Sequence, residues 1–322
     1  MRNVPSVLVF NWENYSRSPS PISFRIPGPH APGPIRRPMP LPNFLIIGAQ
    51  KAGTTWLLRQ LRQHPDIYLP REEVHFFDKQ NRFEKGRSWY RQFFEDVQNE
   101  TAIGEKTPDY CWTNQEGAEG HLPSVHRNIH EILPDAKLIM MVRNPVDRAV
   151  SAVNHLFRTR RLCPKYSMDA LLTGDKHHLI APHGVLDYGR YYQHIQTYLE
   201  LFDREQLLVL VFEEDVLAHP EHGLEKVTQF LGVDPSFSFT GLKERQNPAG
   251  VSKTGLYLRY YLPVLSPLVQ AVDKYLLRRN YKKRPTEAAI RSLYEMYRPE
   301  NEALFQFLGR RIPSWTLHDE PS

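Results

Sequence analysis

Three apolar runs stand out from an otherwise mixed chain, at residues 44–47, 137–142 (apolar after Lys137) and 207–212. Continuous rather than alternating apolar character is the pattern of strands covered on both faces, as in a parallel sheet. Between the runs the spacing becomes helical. Leu57, Leu58 and Leu61 predict a helix over 54–64, and Val146, Ala149, Val150, Val153 and Phe157 share one face of a helix over 146–160. Leu224, Val227, Phe230 and Leu231 mark another, stopped by Gly232. Residues 287–308 carry Ile290, Leu293, Tyr297, Leu304, Phe307 and Leu308 and predict one helix, bent or interrupted near Pro299. Strands alternating with helices predict an α/β fold around a mainly parallel sheet. No internal repeat is visible.

The first 42 residues differ in composition: they hold ten of the 27 prolines, in strings such as Ser18-Pro-Ser-Pro21. Such a segment sustains neither helix nor ladder hydrogen bonds, so an extended or disordered leader is expected, with a proline-rich docking segment as the alternative. Residues 43–315 are expected to form a single domain and 316–322 a tail. No window approaches the ~18 consecutive apolar residues of a membrane span, and the apolar stretch at 4–10 is short for a signal-peptide core. The expectation is a cytoplasmic protein without a transmembrane segment; a Golgi-lumen enzyme would need a signal anchor that is not seen. A net charge of +5 and a pI near 9.1 suit an anionic ligand. Because the basic residues are spread along the whole chain, no nucleic-acid partner is expected. Two cysteines, Cys111 and Cys163, argue against a disulfide framework, leave room for one bridge and offer no metal-ligand spacing. The oligomeric state is not readable.

Chemistry enters at the end of the first run. Gly48-Ala-Gln-Lys-Ala-Gly-Thr-Thr55 is a glycine turn that holds a lysine and opens a helix. Backbone N–H groups there converge on one spot, the helix dipole favours negative charge, and Lys51, Thr54 and Thr55 add donors. It is not the G-x-x-x-x-G-K-[ST] loop, because the lysine lies between the glycines. The second run leads directly into Arg143-Asn-Pro-Val-Asp-Arg-Ala-Val-Ser151. Open α/β sheets bind ligands at the carboxyl ends of their strands, so both loops are expected to face one crevice and to hold one ligand with two separated anionic groups. Taken singly, Arg143 also reads as an ion-pair partner of Asp147 or Asp109, and Ser151 as a hydroxyl bonded to its own helix.

These two loops, with Glu72-Glu-Val-His-Phe-Phe-Asp78, Glu105-Lys-Thr-Pro-Asp-Tyr110, and Gly189-Arg-Tyr191 followed by Phe202-Asp-Arg-Glu-Gln-Leu-Leu208, span roughly residues 42 to 255. In that order they resemble the sulfotransferases that use 3′-phosphoadenosine 5′-phosphosulfate (PAPS), in the branch of the heparan sulfate enzymes and their bacterial relatives. The resemblance implies a P-loop-like three-layer fold, PAPS as co-substrate, adenosine 3′,5′-bisphosphate as product, and no metal. It implies that Lys51, Ala52, Gly53, Thr54, Thr55 and Trp56 hold the 5′-phosphosulfate and that Arg143 and Ser151 hold the 3′-phosphate. Asn247-Pro-Ala-Gly-Val-Ser-Lys-Thr-Gly255 resembles a loop that closes over the 3′-phosphate, which makes Lys253 a candidate. The C-terminal third matches less well, and the membrane anchor and cysteine pair of the vertebrate glycan enzymes are not seen. The acceptor, a glycan or a small molecule, stays open.

Sulfuryl transfer needs a base for the acceptor's proton and cationic donors for charge growing on the leaving oxygen. Glu73 matches the family's carboxylate and is assigned as general base. Val74, Phe76 and Phe77 beside it are expected to raise its pKa. Glu72 and His75 are competitors. In an extended stretch His75 shares a face with Glu73 and is placed to orient the base. Lys106 is expected near the sulfuryl group or the acceptor, or else paired with Glu105 or Asp109; Lys51 is expected at the leaving oxygen. The basic clusters at 158–161 and 278–284 read either as solvated faces or as attractants for an acidic acceptor; the latter, interleaved with Tyr275 and Tyr281, leaves nucleic acid or a membrane surface as a minor alternative. Tyr257, Tyr260, Tyr261 and residues 262–272 read either as an acceptor pocket or as packing. Two other classes compete: a nucleotide kinase or phosphotransferase, and a non-catalytic nucleotide-binding module.

Overall fold

A computed structural model of the protein describes residues 39–113, 122–243, 251–273 and 281–316. Its centre is a sheet of five strands: β1 (Phe44–Gly48), β2 (Ile67–Tyr68), β3 (Ala102–Lys106), β4 (Lys137–Val142) and β5 (Leu207–Val211). The order is β2-β3-β1-β4-β5, with every neighbouring pair parallel. Continuous apolar runs produce β1, β4 and β5, and all of β1 is buried, as a strand covered on both faces must be. The two strands that the apolar pattern misses have plain reasons. β2 is two residues long, and β3 reads Ala-Ile-Gly-Glu-Lys, with the polar Glu105 and Lys106 buried.

The helices that frame the site are α1 (Thr54–Leu61), α2 (Pro145–Arg158), α3 (Tyr191–Leu199), α4 (Pro220–Leu231), α5 (Lys253–Tyr261), α6 (Ser266–Val272) and α7 (Glu287–Leu308). Asn144 caps α2: its Oδ1 accepts from the amides of Val146 at 3.0 Å and Asp147 at 3.3 Å. Gly232, with φ 80°, closes α4 in the left-handed conformation. Helix α7 runs through Pro299 as one element. A second apolar cluster outside the sheet, including Val153, Phe157, Leu171, Leu293 and Tyr297, packs α2 against α7 and the segment between them.

Sequence order reverses beside β1, which has β3 on one side and β4 on the other. The carboxyl ends of these three strands, at Gly48, Lys106 and Val142, therefore lie side by side at one edge of the sheet. Both cysteines are free. Among the described residues no helix is long and apolar enough to cross a membrane. The proline-rich leader up to residue 38, Tyr275, residues 247–250 of the proposed closing loop, residues 278–280 of the second basic cluster and the tail beyond residue 316 lie outside the described residues.

Candidate active site

The turn after β1 is built by backbone demands. Ala49 donates its amide to Met141 O on β4 at 2.7 Å, which ties the turn to the neighbouring strand. Lys51 has φ 69° and Gly53 φ 98°. A Cβ at Gly53 would lie 2.6 Å from Phe212 Cδ2, so only glycine fits between the helix start and that ring. Helix α1 begins at the next residue, and the amides of its first turn lack intrahelical acceptors. Ala52 and Trp56 are buried beneath the turn; Trp56 Nε1 donates to Leu242 O at 3.0 Å and supports the loop from behind.

Lys51, Thr54 and Thr55 line a cleft of about 800 Å³, whose other walls include Glu73, His75, Asp109, His155, Arg158 and Arg161. Burial lowers the Lys51 pKa to about 8, and Arg158, Arg143 and Arg148 push the same way against Glu73. A lysine so crowded by cations is poised to gain from an incoming anion.

Glu73 does not occupy a strand. It lies in an irregular segment in which His75 takes φ 50°, and this turn, rather than a shared strand face, brings the ring of His75 to 3.5 Å from the Glu73 carboxylate. Lys106, at the end of β3, donates directly to Glu73 Oε1. The expected rise in the Glu73 pKa is overturned. Burial pushes it up, but the hydrogen bond from His75 and the charge and hydrogen bond of Lys106 outweigh this and hold it down to about 2. Apolar neighbours in sequence mislead here because Val74, Phe76 and Phe77 point into the core while the Glu73 side chain keeps 42% of its exposure.

His75 behaves in the opposite sense. Burial lowers its pKa, yet hydrogen bonds to Asp78 and Glu73 raise it to about 10, with Nδ1 2.9 Å from Asp78 Oδ2. Hydrogen bonds to two carboxylates favour the protonated ring, which suits His75 to orienting Glu73. Glu72 is exposed and lines no part of the cleft. Asp109 lies 3.9 Å from His75 Nδ1 and accepts from Tyr188 at 2.8 Å and Gln50 at 3.3 Å. His75, Asp78 and Asp109 have their ligating atoms within 4.8 Å of one another, a spacing open to a metal ion, which would bind there only by displacing the imidazole proton.

Arg143 leaves β4 with its backbone gripped on both sides by Tyr191: the amide donates to the hydroxyl at 3.3 Å, and the hydroxyl donates to the carbonyl at 2.7 Å. Its Nη1 donates to Lys51 O at 3.3 Å, its guanidinium lies 5.2 Å from the Phe212 ring centre, and Asp147 is 3.8 Å away. Its buried Nε has no hydrogen-bond partner. Arg143 does not line the 800 Å³ cleft itself; it stands directly behind the Lys51 turn that does. Ser151 is half-buried on α2, one turn before cleft-lining His155. Lys253 is exposed at the first turn of α5 and is absent from the cleft wall.

The sequence reading missed Gln50, Asp78, Asp109 and His155. Three of these, Gln50, Asp78 and Asp109, lie in motifs already singled out, so the signal was present without the pairing. Burial first, then Lys51, Arg158 and Arg161, lower the His155 pKa to about 4, which makes it a neutral member of a cationic wall. Arg158 and Arg161, open to either reading, prove to line the cleft.

Residues 42–237 match the sulfotransferase family. Human heparan sulfate glucosamine 3-O-sulfotransferase 6 is 31% identical over 295 residues, covering 88% of this chain and 75% of that protein. Mouse heparan sulfate glucosamine 3-O-sulfotransferase 3B1 is 29% identical over 301 residues, covering 91% of this chain and 68% of the relative. Among solved structures, a sulfotransferase from Alicyclobacillus acidocaldarius superimposes with a TM-score of 0.63 at 26% identity, over 86% of this chain and 99% of the other.

Proposed function

This chain belongs to the sulfotransferase family and is a PAPS-dependent sulfotransferase, and from that premise we propose which residues grip PAPS and which prepare the acceptor. The observation that carries the proposal is the single cleft in which Lys51, Thr54 and Thr55 face Glu73 and His75. The Lys51 turn holds the 5′ end of the donor. Arg143, with Ser151, holds its 3′-phosphate. The unpartnered Nε of Arg143 and the glycine-tight turn over Phe212 are what a built anion site needs.

PAPS supplies the sulfuryl group and leaves as adenosine 3′,5′-bisphosphate. Glu73 takes the acceptor's proton. With a pKa near 2 it is a weak base at rest, so the proton moves late, as the acceptor oxygen bonds to sulfur and becomes acidic. His75, held by Asp78, keeps the carboxylate aimed. Lys106 shares the carboxylate until a sulfuryl oxygen draws its charge away, and that release makes Glu73 more basic when it is needed. Lys51 meets the charge that grows on the bridging oxygen as the S–O bond to phosphate breaks.

The cleft wall carries Lys51, Lys79, Arg82, Arg158, Arg161 and Arg259 against Glu73 and Asp109. This excess of cations beyond what one nucleotide end uses favours an anionic acceptor. The human and mouse relatives are named for heparan sulfate, and we take a negatively charged glycan hydroxyl as the acceptor class. Two unpaired cysteines support the cytoplasmic reading as part of the same proposal. Thermal shift tests the donor: adenosine 3′,5′-bisphosphate alone should stabilise the protein, and stabilisation by ATP with magnesium alone would overturn the reading. Transfer of labelled sulfate from PAPS to charged against neutral glycans tests the acceptor, and preference for neutral ones would remove the charge argument.

A further inference from the structure

Helices α5 and α6, joined by a short turn at Pro263–Leu265, form a hairpin whose outer side is apolar. Six of the seven large apolar side chains exposed among the described residues fall on it: Leu258, Tyr261, Leu262, Val264, Leu265 and Leu268. Val264 at its tip is 89% exposed and Leu268 64%. Its inner side is polar and stitched. Arg259 Nε and Gln270 Nε2 each reach Ser266 Oγ at 3.3 Å, and Gly255 lets α5 close on Asp273, where a Cβ would lie 2.2 Å from Oδ2. The hairpin is thus held in shape from within while its apolar tip stays uncovered.

Charge narrows what covers it. Residues 251–272 contain no aspartate or glutamate, and Asp273 is buried. Lys165 lies next to Tyr260, Arg160 acts on Arg259, and Lys253 opens α5; Arg160, Lys165 and Lys253 are exposed. A convex apolar tip with tyrosines and cations at its base is poorly matched to a rigid protein face, but a fluid medium closes around it.

We propose that this hairpin docks the protein on an anionic lipid bilayer, with residues 262–268 entering the boundary between headgroups and acyl chains and the basic residues meeting the headgroups. Arg259 and Gln270 of the same hairpin line the catalytic cleft, so docking sets the cleft mouth at the membrane surface. Docking itself does not depend on the sulfotransferase reading; only its consequence, access to acceptors carried on the bilayer, rests on it.

Flotation of the full chain with phosphatidylcholine vesicles, with and without phosphatidylglycerol, tests the proposal. The protein should float with the anionic vesicles, less so at high salt, and Val264→Asp with Leu268→Asp should lower partition ~10-fold or more. The double variant should keep its stabilisation by adenosine 3′,5′-bisphosphate, which reports both folding and the donor site separately. In a second variant, Val264→Trp, emission should shift to the blue on adding anionic vesicles only. Absence of flotation, equal flotation of the charged variant, no emission shift, or a dimer that the charged variant dissolves would each overturn docking to lipid.

Discussion

Arg143 Nη1 donates to the carbonyl oxygen of Lys51 at 3.3 Å, joining the turn after β1 to the turn after β4 across 92 residues of chain. The two loops that the sequence offers as anion sites are therefore neighbours, the arrangement that the proposal of one nucleotide gripped at both ends requires. Arg143→Ala should weaken adenosine 3′,5′-bisphosphate ~10- to 100-fold, the range for hydrogen bonds to charged groups. Calorimetry with adenosine 5′-phosphosulfate, which has no 3′-phosphate, checks the assignment. Its affinity should barely change; an equal loss for both ligands would mean that Arg143 only braces the Lys51 turn.

Glu73→Gln keeps the shape of the side chain and removes its capacity to take a proton. Turnover should fall ~10²- to 10⁴-fold, the usual reach of general base catalysis, while bisphosphate affinity holds. Rapid-quench sulfate transfer paired with calorimetry reads both. Near-normal turnover would refute the base assignment and move the role to Glu72 or His75.

Lys106→Ala tests the restraint on that carboxylate. Burial pushes the Glu73 pKa up, while His75 and Lys106 pull it down to about 2. Removing Lys106 takes away part of the downward pull, so the Glu73 pKa should rise. The carboxylate is the active base only above its pKa; the acid limb of kcat/KM should therefore move to higher pH in the variant. An unmoved limb with lower kcat would place Lys106 on the sulfuryl group alone.

The frame of this site was legible because continuous apolar runs report strands buried on both faces, and β1, β4 and β5 are such strands. β3 was not, since its Glu105 and Lys106 are polar groups buried within it, Glu105 accepting a hydrogen bond from Tyr110 at 2.8 Å and Lys106 donating to Glu73. Binary patterning has no entry point to a polar strand satisfied by tertiary partners. The reversed pKa of Glu73 has a related cause: His75, two residues on, is visible in sequence but the turn that aims it at the carboxylate is not, and Lys106 lies thirty-three residues away. Arg158 and Arg161 were ambiguous because helical spacing says which residues share a face and not what that face meets.

The Lys51 pKa of about 8 sets a pH dependence for donor binding. Below that value the free protein carries the charge and affinity should be flat. Above it the ammonium must be reprotonated as the anion arrives, so affinity should fall with rising pH, approaching tenfold per unit, and binding should take up a proton. Calorimetry in buffers of different ionisation enthalpy between pH 6.5 and 9.5 measures this. Lys51→Ala should bind more weakly at neutral pH and lose the slope; a slope that survives would assign it to another group.

Gly53 separates local strain from site geometry. Its φ of 98° disfavours any side chain, and a Cβ there also meets Phe212 at 2.6 Å. Gly309 shares only the first problem, with φ 68° and nothing within 4 Å. Gly309→Ala should cost ~1–2 kcal/mol of stability, the strain of the left-handed conformation, and leave the nucleotide site alone. Gly53→Ala adds overpacking of ~1–3 kcal/mol and pushes the ring on which Arg143 rests, so it should lower both Tm and bisphosphate affinity. Urea unfolding with and without the bisphosphate distinguishes the two. If Gly53→Ala lost stability but bound the nucleotide normally, Phe212 would be a packing residue only, and the geometry of Arg143 would have to be maintained by Tyr191 and the Lys51 carbonyl alone.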